Sequence, residues 1–235
     1  MDGFERWKTG IDRADVEWDR YDPEIRRTVF EYSQHLLDTP GFTPLDWRLV
    51  KAMLWTESGP QASDWKKTPL QIGVPGDPGL RALLYGDEGS ELIVPPCYVL
   101  TATGVTTQPR MNIVAALGYL LMRMANYGFA TLPDDANVFN ITASVGDSLS
   151  TLARKNRSTV ETLQKLNPGV QVIRAGQVLR CQRASIRKVI VGWKPFTFST
   201  VAQRYNGNGN PKGDPSYSKK LAYSMDAIKR RGATK

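Results

Sequence analysis

The chain has 235 residues and a formal net charge of +8, enough for one large domain or two smaller ones with real cores. Its apolar content of 41% and charged content of 23% are those of an ordinary soluble globular protein. Two cysteines, Cys97 and Cys181, exclude a disulfide framework, and with a single histidine, His35, they are too few for a zinc site.

Charge is segregated: residues 1–138 carry net −6, residues 139–182 net +4 and residues 183–235 net +10. A basic back half suits an anionic polymer such as a bacterial cell wall, nucleic acid, or attraction between segments of one fold. The basic residues fall in no nucleic-acid motif, so no nucleic-acid partner is expected. The cysteines are expected as two free thiols, and no metal or cofactor is expected. Met1–Trp7 lacks the apolar core and cleavage site of a signal peptide, and the longest apolar stretch, Ile113 to Leu121, is too short to span a membrane. The expectation is a chain made in the cytoplasm, without a classical export signal and without membrane insertion.

In chain order, Asp22-Pro23-Glu24 opens a helix to about Leu37, with Asp22 as its cap and Ile25, Val29, Tyr32 and Leu36 at helical spacing. Thr43-Pro44 opens a second, carrying Leu45, Leu49, Ala52, Met53 and Leu54 and stopped by Ser58-Gly59-Pro60. Residues 60–76 read as a loop and Asp77-Pro78 begins a short helix through Leu84. Leu92 to Pro96 is extended, and Asn112 to about Tyr127 is a strong helix with Gly128 as its stop. Leu132 to Asn137 reads as a polar linker. Val138 to Ala143 is then a short strand, Asp147 caps a helix holding Leu149, Leu152 and Ala153, Ser158-Thr159-Val160-Glu161 is a capping box for another, and Gln177 to Cys181 is a second strand. A basic connector leads to a helix over Ser199–Tyr205, a loop over Asn206–Pro211, and a terminal helix from Tyr217 to Arg230 whose basic last turn complements its dipole.

The β-α-α-β segment, with Val145-Gly146-Asp147-Ser148-Leu149, Leu166-Asn167-Pro168 and Ala175-Gly176-Gln177-Val178-Leu179, resembles a LysM domain over about residues 139–182. Such domains bind glycans that contain N-acetylglucosamine. The resemblance implies a groove lined by Gly146, Asp147, Ser148 and Leu149 on one side and Pro168, Gly169, Val170 and Ile173 on the other. Asp147 reads equally as a helix cap. Ala143 stands where relatives carry a larger β-branched residue.

The flanking sequence resembles the goose-type lysozyme and lytic transglycosylase superfamily. The motifs are Trp55-Thr56-Glu57-Ser58-Gly59, Pro69-Leu70-Gln71-Ile72-Gly73, Asn112-Ile113 followed by Ala115, Ala116, Tyr119 and Leu120, and Ala202-Gln203-Arg204-Tyr205-Asn206-Gly207, with Tyr217 as an aromatic before the last helix. Thr68-Pro69 departs from the family's pattern. The resemblance implies a catalytic Glu57, with Gln71, Asn112, Tyr205, Asn206 and Tyr217 as substrate-binding residues. Asn112 reads alternatively as a helix cap and Tyr205 as a core residue. Trp47, Trp55 and Trp65 are open to two roles, sugar groove or core.

A free glutamate of pKa about 4.3 is protonated only roughly 0.2% of the time at pH 7, so a general acid must be shifted upward. Glu57 stands in the last turn of its helix, at the negative end of the dipole, where the neutral acid is favoured. The expected fold class is α+β: a mainly α-helical lysozyme-like domain, residues 1–133 and 185–235, split by a βααβ module at residues 138–182. The expected activity is lytic transglycosylation of peptidoglycan, one glutamate serving as acid and then base while the sugar's own 6-hydroxyl attacks. Alternatives are a hydrolase using Asp64 or Asp77 as a second carboxylate, and a wall-binding protein without catalysis. The resemblance implies peptidoglycan glycan strands as partner. A substrate outside the cytoplasmic membrane implies delivery by a specialised secretion system, with an apparatus component or an immunity protein as further partners, or release as a phage enzyme.

Overall fold

The computed structural model describes residues 3–75, 77–86, 88–207 and 215–233. The chain divides into two compact units, Met1–Asn126 with Ile190–Lys235, and Tyr127–Val189. In chain order the elements are α1 (Gly3–Asp12), α2 (Asp22–Leu36), α3 (Trp47–Glu57), α4 (Gly79–Tyr85), the single turn α5 (Ser90–Ile93), α6 (Ala102–Thr107) and α7 (Pro109–Met124). Strand β1 (Ala125–Thr142) leads into the second unit, which holds α8 (Leu149–Lys155) and α9 (Val160–Leu166), and strand β2 (Val178–Trp193) leads back. The chain then forms α10 (Phe198–Val201), a π-helical turn over Ala202–Asn206, and α11 (Pro215–Ala233). Among the described residues the architecture is mixed, helices with one two-stranded sheet.

Two helices make the core of the first unit. In α3 the seven consecutive residues Leu49 to Trp55 are all buried, so the helix is surrounded rather than one-faced. The one charge among them, Lys51, is held by Asp19 and Asp22 at 2.7 Å each, which is what a buried ammonium requires. Helix α7 is buried all round from Asn112 to Gly118. Gly118 has no side chain because Tyr32 Oη lies where one would go: a Cβ there would meet it at 2.5 Å. The Tyr32 hydroxyl donates to Val114 O at 2.9 Å, tying α2 to α7. Helices α3 and α11 pack along one another. Trp55 and Trp65 are each 1% exposed and close around Trp18, so both are core residues.

Several element boundaries differ from the sequence reading. Helix α1 was not expected, although Phe4, Trp7 and Ile11 recur at helical spacing and Ile11 is buried. Helix α2 includes Asp22, with Tyr21 at the cap; the Asp22 carboxylate is taken by Lys51 instead. Helix α3 starts at Trp47, capped by Asp46, whose side chain accepts the Arg48 N–H at 3.0 Å. Residues 90–93 form a turn of helix where an extended run was expected. Helix α7 starts at Pro109 and yields to strand at Ala125, so Gly128 stops nothing and Asn112 is no cap. The last helix runs Pro215–Ala233. Of the expected loop Asn206–Pro211, residues 208–211 lie outside the described residues.

The largest difference is the sheet. The polar linker at Leu132–Asn137 and the basic connector after Cys181 are both strand. The strands run antiparallel: Lys194 N–H donates to Met124 O at one end, and Ala143 N–H donates to Gln177 O at the other. Most β1 side chains from Pro133 to Val138 are exposed, so no apolar alternation marks this stretch. Both strands are sheet edges, which is why Pro133 is tolerated. Arg187 donates to Pro133 O and pairs with Asp134, and Ser185 Oγ donates to Asp134 Oδ1 at 2.7 Å.

In the second unit Ala143, Leu152, Ala153, Leu163, Leu179 and Cys181 form a small core, with Phe139, Ile141, Leu149, Val160, Val170 and Ile173 packed against it. Ala143 is 2% exposed and belongs to this core despite its small side chain. The caps fall one residue from those expected. Ser148, not Asp147, caps α8 in a reciprocal box with Thr151, and Thr159, not Ser158, caps α9. Cys97 and Cys181 are both free thiols.

Candidate functional site

The first unit carries a cleft of about 300 Å³ lined by Glu57, Leu70, Gln71, Ile72, Val74, Pro75, Asp77, Tyr119, Tyr205 and Asn206. Three of the sequence motifs deliver residues to it. The helix α3 ends at Glu57 because Ser58 turns extended; the Ser58 Oγ–H donates to Pro69 O at 2.6 Å and pins the helix end to the following segment. That segment brings Leu70, Gln71 and Ile72. Gln71 is in the left-handed region, φ 55°, a conformation costing an ordinary side chain roughly 1–2 kcal/mol. Its Nε2 donates to the Glu57 carbonyl at 2.6 Å. The π-helical turn presents Tyr205 and Asn206; single π turns of this sort recur at functional sites. Tyr205 Oη donates to Leu70 O at 2.9 Å, and its ring meets Tyr119 edge-on at 5.8 Å.

Burial is the main cause of a Glu57 pKa raised from 4.5 to about 7, with Asp77 pushing the same way. A hydrogen bond from Tyr217 and the charge of Lys220 pull against it. The Tyr217 hydroxyl, buried at 3%, donates to Glu57 Oε1 at 2.7 Å. Among the described residues Oε2 has no hydrogen-bond partner, so one carboxyl oxygen is fixed and the other is left to carry a proton. At a pKa near 7 about half the population is protonated at neutral pH, where a free glutamate would be almost wholly ionised. The Tyr205 phenol is pushed well above its ordinary value by burial and by Glu57 and Asp77, and so stays a neutral donor.

Asp77, one of the two carboxylates the hydrolase alternative named, lines the same cleft as Glu57. Both of its carboxylate oxygens are engaged, Oδ2 by Gly73 N–H at 2.7 Å and Oδ1 by Gly79 N–H at 2.8 Å. The N-cap of α4 is Pro78, not Asp77 as the sequence suggests; Asp77 stands one residue earlier and reaches the first N–H of the helix, that of Gly79. Asp64 lies in a short 3-10 turn and does not line the cleft. Tyr119, from the Asn112-Ile113 helix, also lines the cleft, with no local signal in the sequence to mark it.

Asn112 is placed differently from the expectation of a substrate contact. It is completely buried and its amide is fully used: Oδ1 accepts Leu70 N–H at 3.0 Å, and Nδ2 donates to Ile72 O at 3.0 Å and Val105 O at 3.1 Å. It braces the backbone that carries Gln71. Tyr217 likewise touches the acid and does not line the cleft. Among the described residues no cluster of three His, Cys, Asp or Glu side chains is placed to hold a metal ion, and no helix is long and apolar enough to cross a membrane.

In the second unit Gly146, Ser148, Pro168 and Gly169 are exposed on two turns, with Gly146 at φ 83° and Gly169 at φ 86°. Open space surrounds both glycines, so it is the backbone conformation that requires them. Asp147 spends its carboxylate locally, accepting Ser144 N–H at 2.8 Å and pairing with Lys155 at 2.6 Å, which lowers its pKa. Leu149, Val170 and Ile173 pack against the core and hold the turns from beneath. All three are half-buried. Asn167, in the turn after α9, also splices that helix to β2: Oδ1 accepts Arg180 N–H at 2.8 Å and Nδ2 donates to Arg180 O at 2.7 Å.

No curated protein and no solved structure matches the chain. The LysM domain family matches residues 141–181, within the second compact unit. The chain therefore carries a LysM domain, a module that binds peptidoglycan glycan.

Proposed function

We propose that the chain is a peptidoglycan-cleaving lytic transglycosylase in which the LysM domain holds the glycan and Glu57 breaks it. One observation carries this reading: a carboxyl of pKa about 7 lies in a cleft, held on one oxygen by Tyr217, beside Gln71, Tyr205 and Asn206. Protonated Glu57 delivers its proton to the glycosidic oxygen as the bond to the anomeric carbon breaks. The resulting carboxylate then takes the proton of the sugar's 6-hydroxyl as that oxygen closes on the anomeric carbon. The product is a 1,6-anhydro sugar and no water is consumed. Gln71 and Asn206 would meet substrate polar groups, and Tyr119 and Tyr205, which line the same cleft, would offer ring surface.

Asp77 favours a second reading. A carboxylate in the same cleft suits activation of a water and simple hydrolysis. Both of its oxygens are already taken by backbone N–H donors, so the single-acid route remains the first choice. As the substrate is extracytoplasmic, delivery by a specialised secretion system into another cell's periplasm, with an immunity protein in the producer, accompanies this proposal; phage lysis is its alternative.

Mass spectrometry of digested sacculi is the test. Wild-type protein yields 1,6-anhydro muropeptides, and Glu57→Gln yields none while still sedimenting with sacculi. Reducing-end products that depend on Asp77 would establish hydrolysis. Binding without any soluble product would leave a wall-binding protein.

A further inference from the structure

We propose that Lys220 and Trp7 form an accessory subsite beside Glu57 that reads the carboxylate-bearing arm of muramic sugars, the ammonium pairing with the carboxylate and the indole face packing on a pyranose ring. The inference rests on the glycan-cleaving reading of Glu57 and names how that cleft distinguishes muramyl glycan from plain N-acetylglucosamine polymer.

Helix α1 packs on α11. Trp7 is half-buried there, stacked on Phe4 at 5.8 Å and edge-on to Tyr223 at 6.0 Å, which fixes its plane while leaving part of the ring open. Lys220 Nζ stands 5.9 Å from the centre of the Trp7 ring. Lys220 follows Tyr217 by three residues on α11, so the two share a helix face; Tyr217 is the residue that bonds Glu57. Lys220 thus lies beside an aromatic ring and on the helix face of the residue that bonds the acid, and its charge favours the Glu57 carboxylate. Nearby Lys8 is paired with Glu5 at 3.2 Å; among the described residues Lys220 has no hydrogen bond or ion pair. The charge of Lys220 opposes the neutral form that Glu57 needs. A carboxylate seated on Lys220 neutralises it and removes that opposition, so the matching ligand also prepares the acid. Cation and ring together fit a sugar bearing an acidic arm better than an isolated anion.

The test uses full-length Glu57→Gln protein, which leaves ligand intact, and reads binding locally from the Trp7 indole N–H signal, assigned with Trp7→Phe. The probes are chitotetraose, a peptide-free GlcNAc–MurNAc tetrasaccharide and its stem-peptide-bearing form. The expected result is that the muramyl probes move the signal, and that adding Lys220→Met weakens them by roughly tenfold while chitotetraose is unchanged. Lys220→Arg restores the difference. A response to the peptide-free probe assigns the lactyl carboxylate, and a response to the peptide-bearing probe alone assigns the stem. An unmoved indole signal, or equal muramyl affinity with and without Lys220, overturns the proposal. Failure of the cleavage reading is separate, because it shows as absence of product from wild-type protein on sacculi.

Discussion

At the scale of single residues, the candidate acid is made by placement. Glu57 has no unusual chemistry of its own; burial raises its pKa to about 7 despite a hydrogen bond and a cation that favour the carboxylate. The same shift links it to stability. Because the folded-state value lies above the ordinary 4.5, the native protein keeps a proton that the unfolded chain has released. The resulting stabilisation is complete below about pH 4.5 and is lost as the pH rises through 7. Glu57→Gln cannot ionise and removes this slope. Urea unfolding of both proteins at pH 4 and pH 8 is expected to show the variant more stable at pH 8, relative to its position at pH 4, by about 3 kcal/mol. A parallel pH dependence in the two proteins would contradict the buried acid.

At the scale of elements, the cleft depends on a segment with little regular structure of its own, residues 68–75. Ser58 holds it from α3, Tyr205 from the π turn and Asn112 from α7. Asn112 makes three buried hydrogen bonds to this segment and to Val105. Replacing it by Ala leaves those backbone groups unsatisfied, a loss of about 2–4 kcal/mol. Asn112→Ala is therefore expected to lower the unfolding midpoint and to abolish product release from sacculi, although Asn112 does not line the cleft. Thermal unfolding together with a digestion assay checks both. Wild-type stability in the variant would show that the segment is held by other means.

At the scale of the molecule, one strand pair carries the chain out of the helical unit and back. Its pairing begins at Met124 and Lys194, the two ends between which the second unit is inserted. Replacing residues 128–188 by an Asn-Gly turn is expected to leave the helical unit folded, since the strand ends remain adjacent. The shortened protein should lose sedimentation with sacculi and degrade them at least roughly tenfold more slowly through lost effective concentration. Its rate on soluble oligosaccharide should not change. Collapse of the helical unit's circular dichroism signal would refute this independence.

Much of this was legible in the sequence, and for local reasons. The LysM domain is set by turns, caps and spacing confined to some forty residues, so Gly146, Gly169 and Gly176 could be read directly; each has positive φ. Glu57 and Ser58 announced a helix end through the glycine and proline that follow. The strands at residues 132–137 and 183–193 were hidden because a solvated two-stranded ribbon needs no apolar pattern. The family resemblance put Glu57, Tyr205 and Tyr217 in one site, but the bond from Tyr217 to Glu57, the choice of Asp77 over Asp64 and the presence of Tyr119 were decided only by tertiary structure. A proton affinity raised by burial depends on atoms far apart in the chain, and no window of neighbouring residues records it.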